Sequence, residues 1–234
     1  MQGHPIRYSM PAISIIIPAL NEAETIEQTL SCLQMMRGRN CEVILVDGGS
    51  NDATMDLAGP LADRILTCEK GRANQLEHGV KHSTAPLIWF LHADTRVPEN
   101  TDEVIEIALE KQDATWGRFN VRLDGRHPLF RIIEKMMNYR SCITGICTGD
   151  QGIFVRRDTL EAIGGVPRQA LMEDIELSKR LKTTASPLCM KQVLVTSSRR
   201  WQEKGVIRTV LLMWYLRAAY AFGVPAGKLA RLYR

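Results

Sequence analysis

The sequence predicts an α/β protein: a mostly parallel central sheet with helices on both faces, followed by C-terminal helices. Three observations carry this expectation. First, short apolar or β-branched runs (Ile13–Ile17, Cys41–Val46, Arg64–Thr67 and Leu87–Leu91) alternate with segments of helical periodicity, the pattern of βαβ units. Second, such units cross over right-handedly, so their strands share one carboxyl edge. Third, polar clusters fall at those ends: Asn21-Glu22, Asp47 to Asp52, Lys70 to Arg72, and His92 to Arg96. Ligands of open α/β sheets collect just beyond that edge.

The elements follow in order. Residues 1–11 read as a flexible tail. Ile13–Ile17 ends at Pro18; Asn21 then suits an N-cap with Glu24 reciprocating, and Ile26, Leu30 and Leu33 recur at helical spacing. Cys41–Val46 runs into DGGSND, with a helix starting at Asp52. Arg64–Thr67 leads through Lys70-Gly71-Arg72 into a helix ending near Lys81. Leu87–Leu91 reads as a strand buried on both faces. If it continues to Asp94, alternation puts His92 and Asp94 on one side. Pro98 suits the first turn of the next helix. Trp116–Leu123 alternates Phe119, Val121 and Leu123 against Arg118, Asn120 and Arg122. His127–Tyr139 is a helix whose Leu129, Ile132, Ile133, Met136 and Met137 make a core face. Gly145–Gln151 is a loop before a strand at Gly152–Val155. Glu173-Asp174 opens a helix with Leu177 and Leu181, Leu188–Thr196 is a last strand, and helices follow from Gly205 to Phe222 and after Pro225.

With 234 residues, 45% hydrophobic and 24% charged, the composition is that of a folded protein of one domain plus an elaboration. The expected division is 12–200 for the domain (12–96 nucleotide-binding, 97–200 acceptor and catalytic) and 201–234 for a basic helical extension. Residues 199–234 hold eight Lys/Arg and one acid, whereas residues 1–198 hold 22 basic and 25 acidic residues. That basic end suits phosphates or anionic lipid, or simply a solvated face. Six cysteines without CxxC spacing argue against zinc or a disulfide framework and for free thiols. The polar start MQGHPIRYSMPA is no signal peptide, and no window is long enough to span a membrane. A cytoplasmic location is expected, with peripheral contact to the inner membrane face left open.

Two stretches carry chemistry. In DGGSNDAT (47–54) the glycines permit close backbone approach to a ligand while Asp47 stands at a strand end, suiting hydrogen bonds to a base or ribose. The third glycine of a GxGxxG fingerprint is missing, which excludes a dinucleotide site. In LIWFLHADTR, His92 and Asp94 are a candidate pair for one divalent cation; the alternative is a hydrogen-bonded histidine and a capping carboxylate.

Taken together, IIIPALNEAETI, VILVDGGSNDAT, FLHADTRVP, GDQGIFVRRD and EDIELSKRL resemble family 2 glycosyltransferases of the GT-A fold over about residues 13–200. HADT, GDQG and SSRRW are similar to the small bacterial subgroup known as arsenosugar-biosynthesis or rSAM/selenodomain-associated glycosyltransferases. The resemblance implies a Rossmann-like nucleotide-diphospho-sugar transferase. Pro18, Ala19, Asn21, Glu22, Asp47, Gly48, Gly71, Arg72, Ala93 and Asp94 would contact the donor nucleotide. Asp94, with or without His92, would hold Mn²⁺ or Mg²⁺; an imidazole ligand would favour Mn²⁺. Asp174 would be the general base, and Asp150, Gln151, Glu173, Arg199, Arg200 and Trp201 would face the acceptor or the phosphates. His92 departs from the family's metal motif by replacing its first acid.

The implied reaction is inverting transfer of a sugar from a nucleotide-diphosphate sugar, UDP before GDP, to a hydroxyl acceptor. Nucleotidyl transfer is disfavoured because Pro18-Ala19-Leu20-Asn21, not a basic glycine-rich loop, follows the first strand. A lipid or polyprenyl-phosphate glycosyltransferase at the membrane surface, and a non-catalytic nucleotide-sugar-binding protein, are the alternatives. Nucleic acid is not expected as a partner. Membrane contact through the C-terminal helix and a homodimer stay open, and Arg208 and Arg217, on opposite sides of that helix, argue for packing on the domain.

Overall fold

The computed structural model describes residues 10–233; most of the expected N-terminal tail lies outside them. The first half is built as the apolar runs demand. Strands β1 (Ile13–Ala19), β2 (Cys41–Asp47), β3 (Arg64–Thr67) and β4 (Leu87–Phe90) are mutually parallel in the order β3-β2-β1-β4. Between them run α1 (Ile26–Cys32), α2 (Gln34–Arg39), α3 (Thr54–Ala58) and α4 (Arg72–His82). Ile13, Ile15 and Ile17 look into one core layer and Ile16, Ile44 and Val46 into the opposite one, as a sheet covered on both faces requires.

The second half is mixed. After β5 (Thr95–Arg96) and α5 (Thr101–Lys111) come β6 (Trp116–Leu123), α6 (Pro128–Thr144), β7 (Phe154–Arg156), α7 (Arg157–Ala162), α8 (Glu173–Leu181) and β8 (Leu188–Thr196). Strand β7 joins β4 and β6 antiparallel, β8 lies parallel to β6, and β5 closes the far edge against β8. Helices α9 (Arg199–Lys204), α10 (Val206–Ala221) and α11 (Ala226–Tyr233) end the chain, with Leu216 and Leu229 packed on Met172 and Ile175.

Several expectations are corrected. Strand β4 ends at Phe90, and His92 to Asp94 form a turn, so alternation does not align those two side chains. Helix α1 begins at Ile26 without a side-chain cap; the Asn21 amide oxygen accepts instead from the Asn51 N–H at 2.9 Å. Helix α3 begins at Thr54, whose N–H donates to Asp52. Pro98 precedes α5 and is not in its first turn. Arg118 is buried, donating to the Asn138 carbonyl at 2.6 Å.

Helix α6 is the largest departure. Ile132 and Met136 are more than half exposed, while Phe130, Glu134 and Ser141 face inward. The reason is backbone satisfaction. Beyond Gly117, β6 has no strand on its β7 side. Glu134 accepts from the Leu123 N–H at 2.7 Å, and the Asn138 amide both accepts from and donates to Val121 at 2.8 and 3.0 Å. Buried backbone groups must be paired, and the polar stripe of α6 pairs these. The thiols are not all free either: Cys142 on α6 is bonded to Cys189 on β8 (Cα–Cα 5.8 Å), while Cys32, Cys41, Cys68 and Cys147 are free.

Candidate active site

The carboxyl edge of β1 and β4 opens on a cleft lined by Pro18, Arg72, His92, Gly149, Glu173 and Asp174, among others. Arg72 reaches it as the first residue of α4, behind Gly71, whose φ of +143° few other residues adopt. Its Nε lies 3.2 Å from Oε1 of Glu173, which is 6% exposed. Burial raises the Glu173 pKa, against the lowering influence of Arg72.

Asp174 sits in the first turn of α8, where a carboxylate is favoured by the helix dipole. Oδ2 accepts from the Gly149 N–H at 2.9 Å and Oδ1 from the Ile175 N–H at 2.8 Å. Space beside Gly149 is tight: a Cβ there would lie 1.9 Å from Nη2 of Arg72 and 2.6 Å from Nε2 of His92. Nε2 of His92 is covered and has no hydrogen-bond partner among the described residues. Burial, reinforced by Arg72, holds the His92 pKa well below the ordinary value.

Asp94 follows in the turn after β4 and accepts from Oγ1 of Thr196 at 3.3 Å. Burial raises its pKa, and it in turn adds to the upward shift that burial gives Glu22. Asp150 stands on the short turn 149–151. Its Oδ1 is covered and unpartnered, and burial, then Asp174 and Asp94, push its pKa up, against hydrogen bonding by Thr148.

Other expected site residues lie elsewhere or are otherwise engaged. Asp47, 1% exposed at the end of β2, accepts from the N–H groups of Gly49 and Ser50 at 2.8 and 2.9 Å and from the Ser50 hydroxyl. It builds the loop whose Ser50 accepts from the Asn21 N–H at 2.8 Å. Ala19 and Gly48 are joined by a backbone hydrogen bond at 2.9 Å. Ala93 is buried, its carbonyl accepting from Thr29 at 2.9 Å. Gln151 is fully buried and does not face an acceptor; its amide nitrogen donates to Ser141 at 2.9 Å and its oxygen accepts from Thr148 at 3.2 Å. Arg199 pairs with Glu22 (3.1 Å) and Glu24 (2.9 Å). Arg200 donates to the Tyr233 carbonyl at 2.8 Å and stacks 3.6 Å over its ring, and Trp201 packs edge-on against Phe130.

Among the described residues no three His, Cys, Asp or Glu side chains form a metal-holding group. Asp94, with one long hydrogen bond, fits a cation that takes its remaining ligands from a diphosphate and water. His92 fits less well, because its free nitrogen faces the Arg72 guanidinium.

Sequence reasoning missed four residues here. Gln75 on α4 donates to the carbonyls of Ala19 (2.7 Å) and Val46 (2.8 Å), binding the ends of β1 and β2 together. Tyr233 of α11 lies within the influence of Arg72, Asp150 and Asp174. The charges of Asp150 and Asp174 also act on Arg140 and Arg217, opposing the downward shift that burial gives each arginine. A lone Gln, Tyr or Arg on a helix gives no local signal of this.

Comparison with known proteins bears on the family and the fold. The Glycosyl transferase family 2 model matches residues 14–162. A PGL/p-HBAD biosynthesis glycosyltransferase of Mycobacterium bovis is 30% identical over 171 residues, covering 66% of this chain and 62% of that protein. Poly-beta-1,6-N-acetyl-D-glucosamine synthase of Staphylococcus aureus is 25% identical, covering 83% and 53%. The chain thus spans little more than half to three-fifths of the length of these relatives. In structure it is similar to S. aureus TarS 1-349 in complex with UDP-GlcNAc (TM-score 0.64, 16% identity, 79% of this chain and 58% of that one). It is also similar to a Pyrobaculum calidifontis mannosyltransferase with GDP-Man and Mn²⁺ (0.59, 21%, 80% and 57%). The fold is therefore GT-A, a curled, mostly parallel sheet between helices, and the chain belongs to glycosyltransferase family 2.

Proposed function

We propose that this chain is an inverting glycosyltransferase that moves a sugar from a nucleotide-diphosphate sugar, UDP-linked before GDP-linked, to a hydroxyl acceptor. The observation that carries this reading is one cleft at the carboxyl edge of the parallel strands lined by Pro18, Arg72 and Asp174. Relatives and neighbours named for sugar transfer or seen with UDP-GlcNAc or GDP-Man support it. The proposed donor contacts are Pro18, Asn21, Glu22, Gly71, Arg72 and Asp94, on loops that Ala19, Asp47, Gly48 and Ala93 hold in shape.

A divalent cation, Mn²⁺ or Mg²⁺, held at Asp94 would supply Lewis-acid neutralisation of the departing diphosphate. Arg72 adds positive charge on the same side. From the opposite side the acceptor oxygen attacks the anomeric carbon, its proton passes to Asp174, and the bond from that carbon to the phosphate oxygen breaks. In-line displacement with one base inverts the centre. Glu173 holds Arg72 in position and takes no proton from the acceptor, since adjacent helical residues diverge.

Asp174→Asn tests this. Turnover is expected to fall about 10²–10⁴-fold, the usual contribution of a general base, while UDP still raises the melting temperature in the presence of Mn²⁺. Unchanged turnover would sink the base assignment. A wild type inert across donor and acceptor panels would support the non-catalytic binding reading.

One set of observations favours a second reading, transfer to a lipid-borne acceptor. Ile207, Leu211, Trp214 and Tyr215 on α10 are each more than half exposed on a basic helix, a composition suited to the membrane surface. No helix of the described residues is long and apolar enough to cross a membrane.

A further inference from the structure

Helix α6 keeps a stripe that the fold does not use. Ile132, Met136, Tyr139 and Ile143, spaced four, three and four residues apart, form one line along the helix and are each more than half exposed. The opposite side, with Phe130, Glu134 and Ser141, packs on the domain. Helix α10 repeats the pattern. Leu212, Met213 and Leu216 pack inward, while Ile207, Leu211, Trp214 and Tyr215 are each more than half exposed. A helix that is apolar on both sides belongs between two apolar surroundings, and the domain supplies only one. Exposed apolar residues scattered singly call for no partner. Here eight of the fifteen large ones among the described residues lie on these two helices.

The two stripes lie on adjoining elements. Phe130, near the start of α6, packs edge-on against Trp201 of α9, with ring centroids 6.4 Å apart. Ile146, just past the end of α6, packs in the apolar cluster that contains Leu212 and Leu216 of α10. The same cluster holds Met172 and Ile175, on either side of Glu173-Asp174, so this face is fastened to the segment that carries the candidate base.

Charge selects the occupant. Helices α6, α10 and α11 carry seven Lys/Arg, three in the first and two in each of the others, against one acid. That acid, Glu134, is turned inward onto the Leu123 N–H. Lys135, Arg208, Lys228 and Arg231 are exposed, and none of the four forms an ion pair among the described residues. A second copy seated by two-fold symmetry would set basic flanks against basic flanks. An anionic lipid surface meets both demands, its acyl boundary receiving the apolar stripes and its phosphates the cations. Tyr139, Trp214 and Tyr215 are of the residue types that settle at the headgroup level.

We propose that the outward faces of α6 and α10 form one docking surface for an anionic phospholipid bilayer. Docking needs no turnover and so goes beyond the transferase reading; its use in catalysis rests on the reading of a lipid-borne acceptor.

The test uses the full chain with vesicles of phosphatidylglycerol and of phosphatidylcholine, read by co-sedimentation. Partition onto phosphatidylglycerol is expected to exceed that onto phosphatidylcholine at least tenfold and to fall as salt rises. Tyr139→Ser with Ile143→Ser on α6, and Leu211→Ser with Trp214→Ser on α10, should each weaken it more than about tenfold, as loss of two inserted apolar side chains does. Lys135→Gln and Arg208→Gln should each weaken it about fivefold. All six side chains are exposed, and unchanged melting temperatures, with the rise on adding UDP retained, report that the fold survives. Absence of binding to phosphatidylglycerol, or binding indifferent to both serine pairs, would overturn the proposal. So would a dimer in sedimentation velocity that the α6 serine pair dissociates while vesicles are ignored, which assigns the face to a second copy. A chain that binds UDP and ignores vesicles loses the docking surface and keeps the transferase reading. One that binds vesicles and no nucleotide does the reverse.

Discussion

The two halves of the sheet build their parts of the cleft by different means. In β3-β2-β1-β4 the strands are parallel, with β2, β1 and β4 buried on both faces and β3 a half-exposed edge, and each polar cluster is contiguous in sequence: Asn21-Glu22 after β1, Asp47 to Asp52 after β2, His92 to Asp94 after β4. A parallel register places those ends side by side whatever the helices do. In β7-β6-β8-β5 the strands run both ways, β6 and β8 slip register between Arg118 and Asn120, and helix side chains replace a missing strand along β6. Here the cleft receives residues from separate segments: Gly149 from the turn 149–151, Val166 from the loop after α7, and Glu173, Asp174 and Leu177 from α8. The first half's share of the cleft is specified by local pattern, and the second half's by tertiary packing.

If that contrast is right, the second half depends more on individual ties, and the tie with the largest expected effect is Cys142–Cys189. It closes a loop of 47 residues between α6 and β8. Cys142→Ser is expected to lower the unfolding free energy by about 2–4 kcal/mol through the entropy regained by the unfolded chain. Urea unfolding of oxidised wild type, reduced wild type and variant measures it; the latter two should coincide. Hydrogen exchange should show β6 and β8 amides losing more protection than those of β1 and β2. Equal losses in both halves would break the contrast.

Next in size is Gly149→Ala, placed where the halves meet. Its Cβ would collide with the ends of Arg72 and His92, both from the first half, while its N–H holds Asp174 of the second. Arg72 is flexible and can swing away, so stability should change little. Misplacing the arginine and the base should lower kcat/KM about 10–100-fold. A stability loss without a change in kcat/KM would mean that the contact only fills space.

The same contrast explains what was legible in the sequence. The strands of the first half, β6 and β8 and the start of α8 could be read from apolar runs and periodicity, because burial on two faces leaves an uninterrupted signature. The inward face of α6 was misread because Ile132 and Met136 look like core until β6 is seen to need Glu134 and Asn138. Gln151, read as facing an acceptor, is turned inward by the hydrogen bonds of its own loop. Arg118 seemed to alternate outward but finds backbone carbonyls in the interior. The Cys142–Cys189 bond and the stacking of Arg200 on Tyr233 depend on how α6 meets β8 and α11 meets α9, which no local window contains.

The smallest expected effect concerns His92, a first-half residue whose surroundings argue against its expected role. Burial and Arg72 hold its folded-state pKa below the unfolded value. The folded state therefore binds fewer protons than the unfolded state once pH falls below about 6.5. The stability associated with neutral His92 is fully present above that pH and is lost progressively as pH drops toward the folded pKa. Wild type should lose more stability between pH 7.5 and 5.5 than His92→Gln, with the raised carboxylates Glu22, Asp94 and Asp150 common to both and cancelling in the difference. Urea midpoints at the two pH values measure it. The Mn²⁺ dependence of donor binding sharpens the result: if Asp94 is the cation's protein ligand, Asp94→Asn should weaken that dependence and His92→Gln should leave it. A loss on removing the imidazole would restore His92 as a ligand and make the turn after β4 a two-residue metal site.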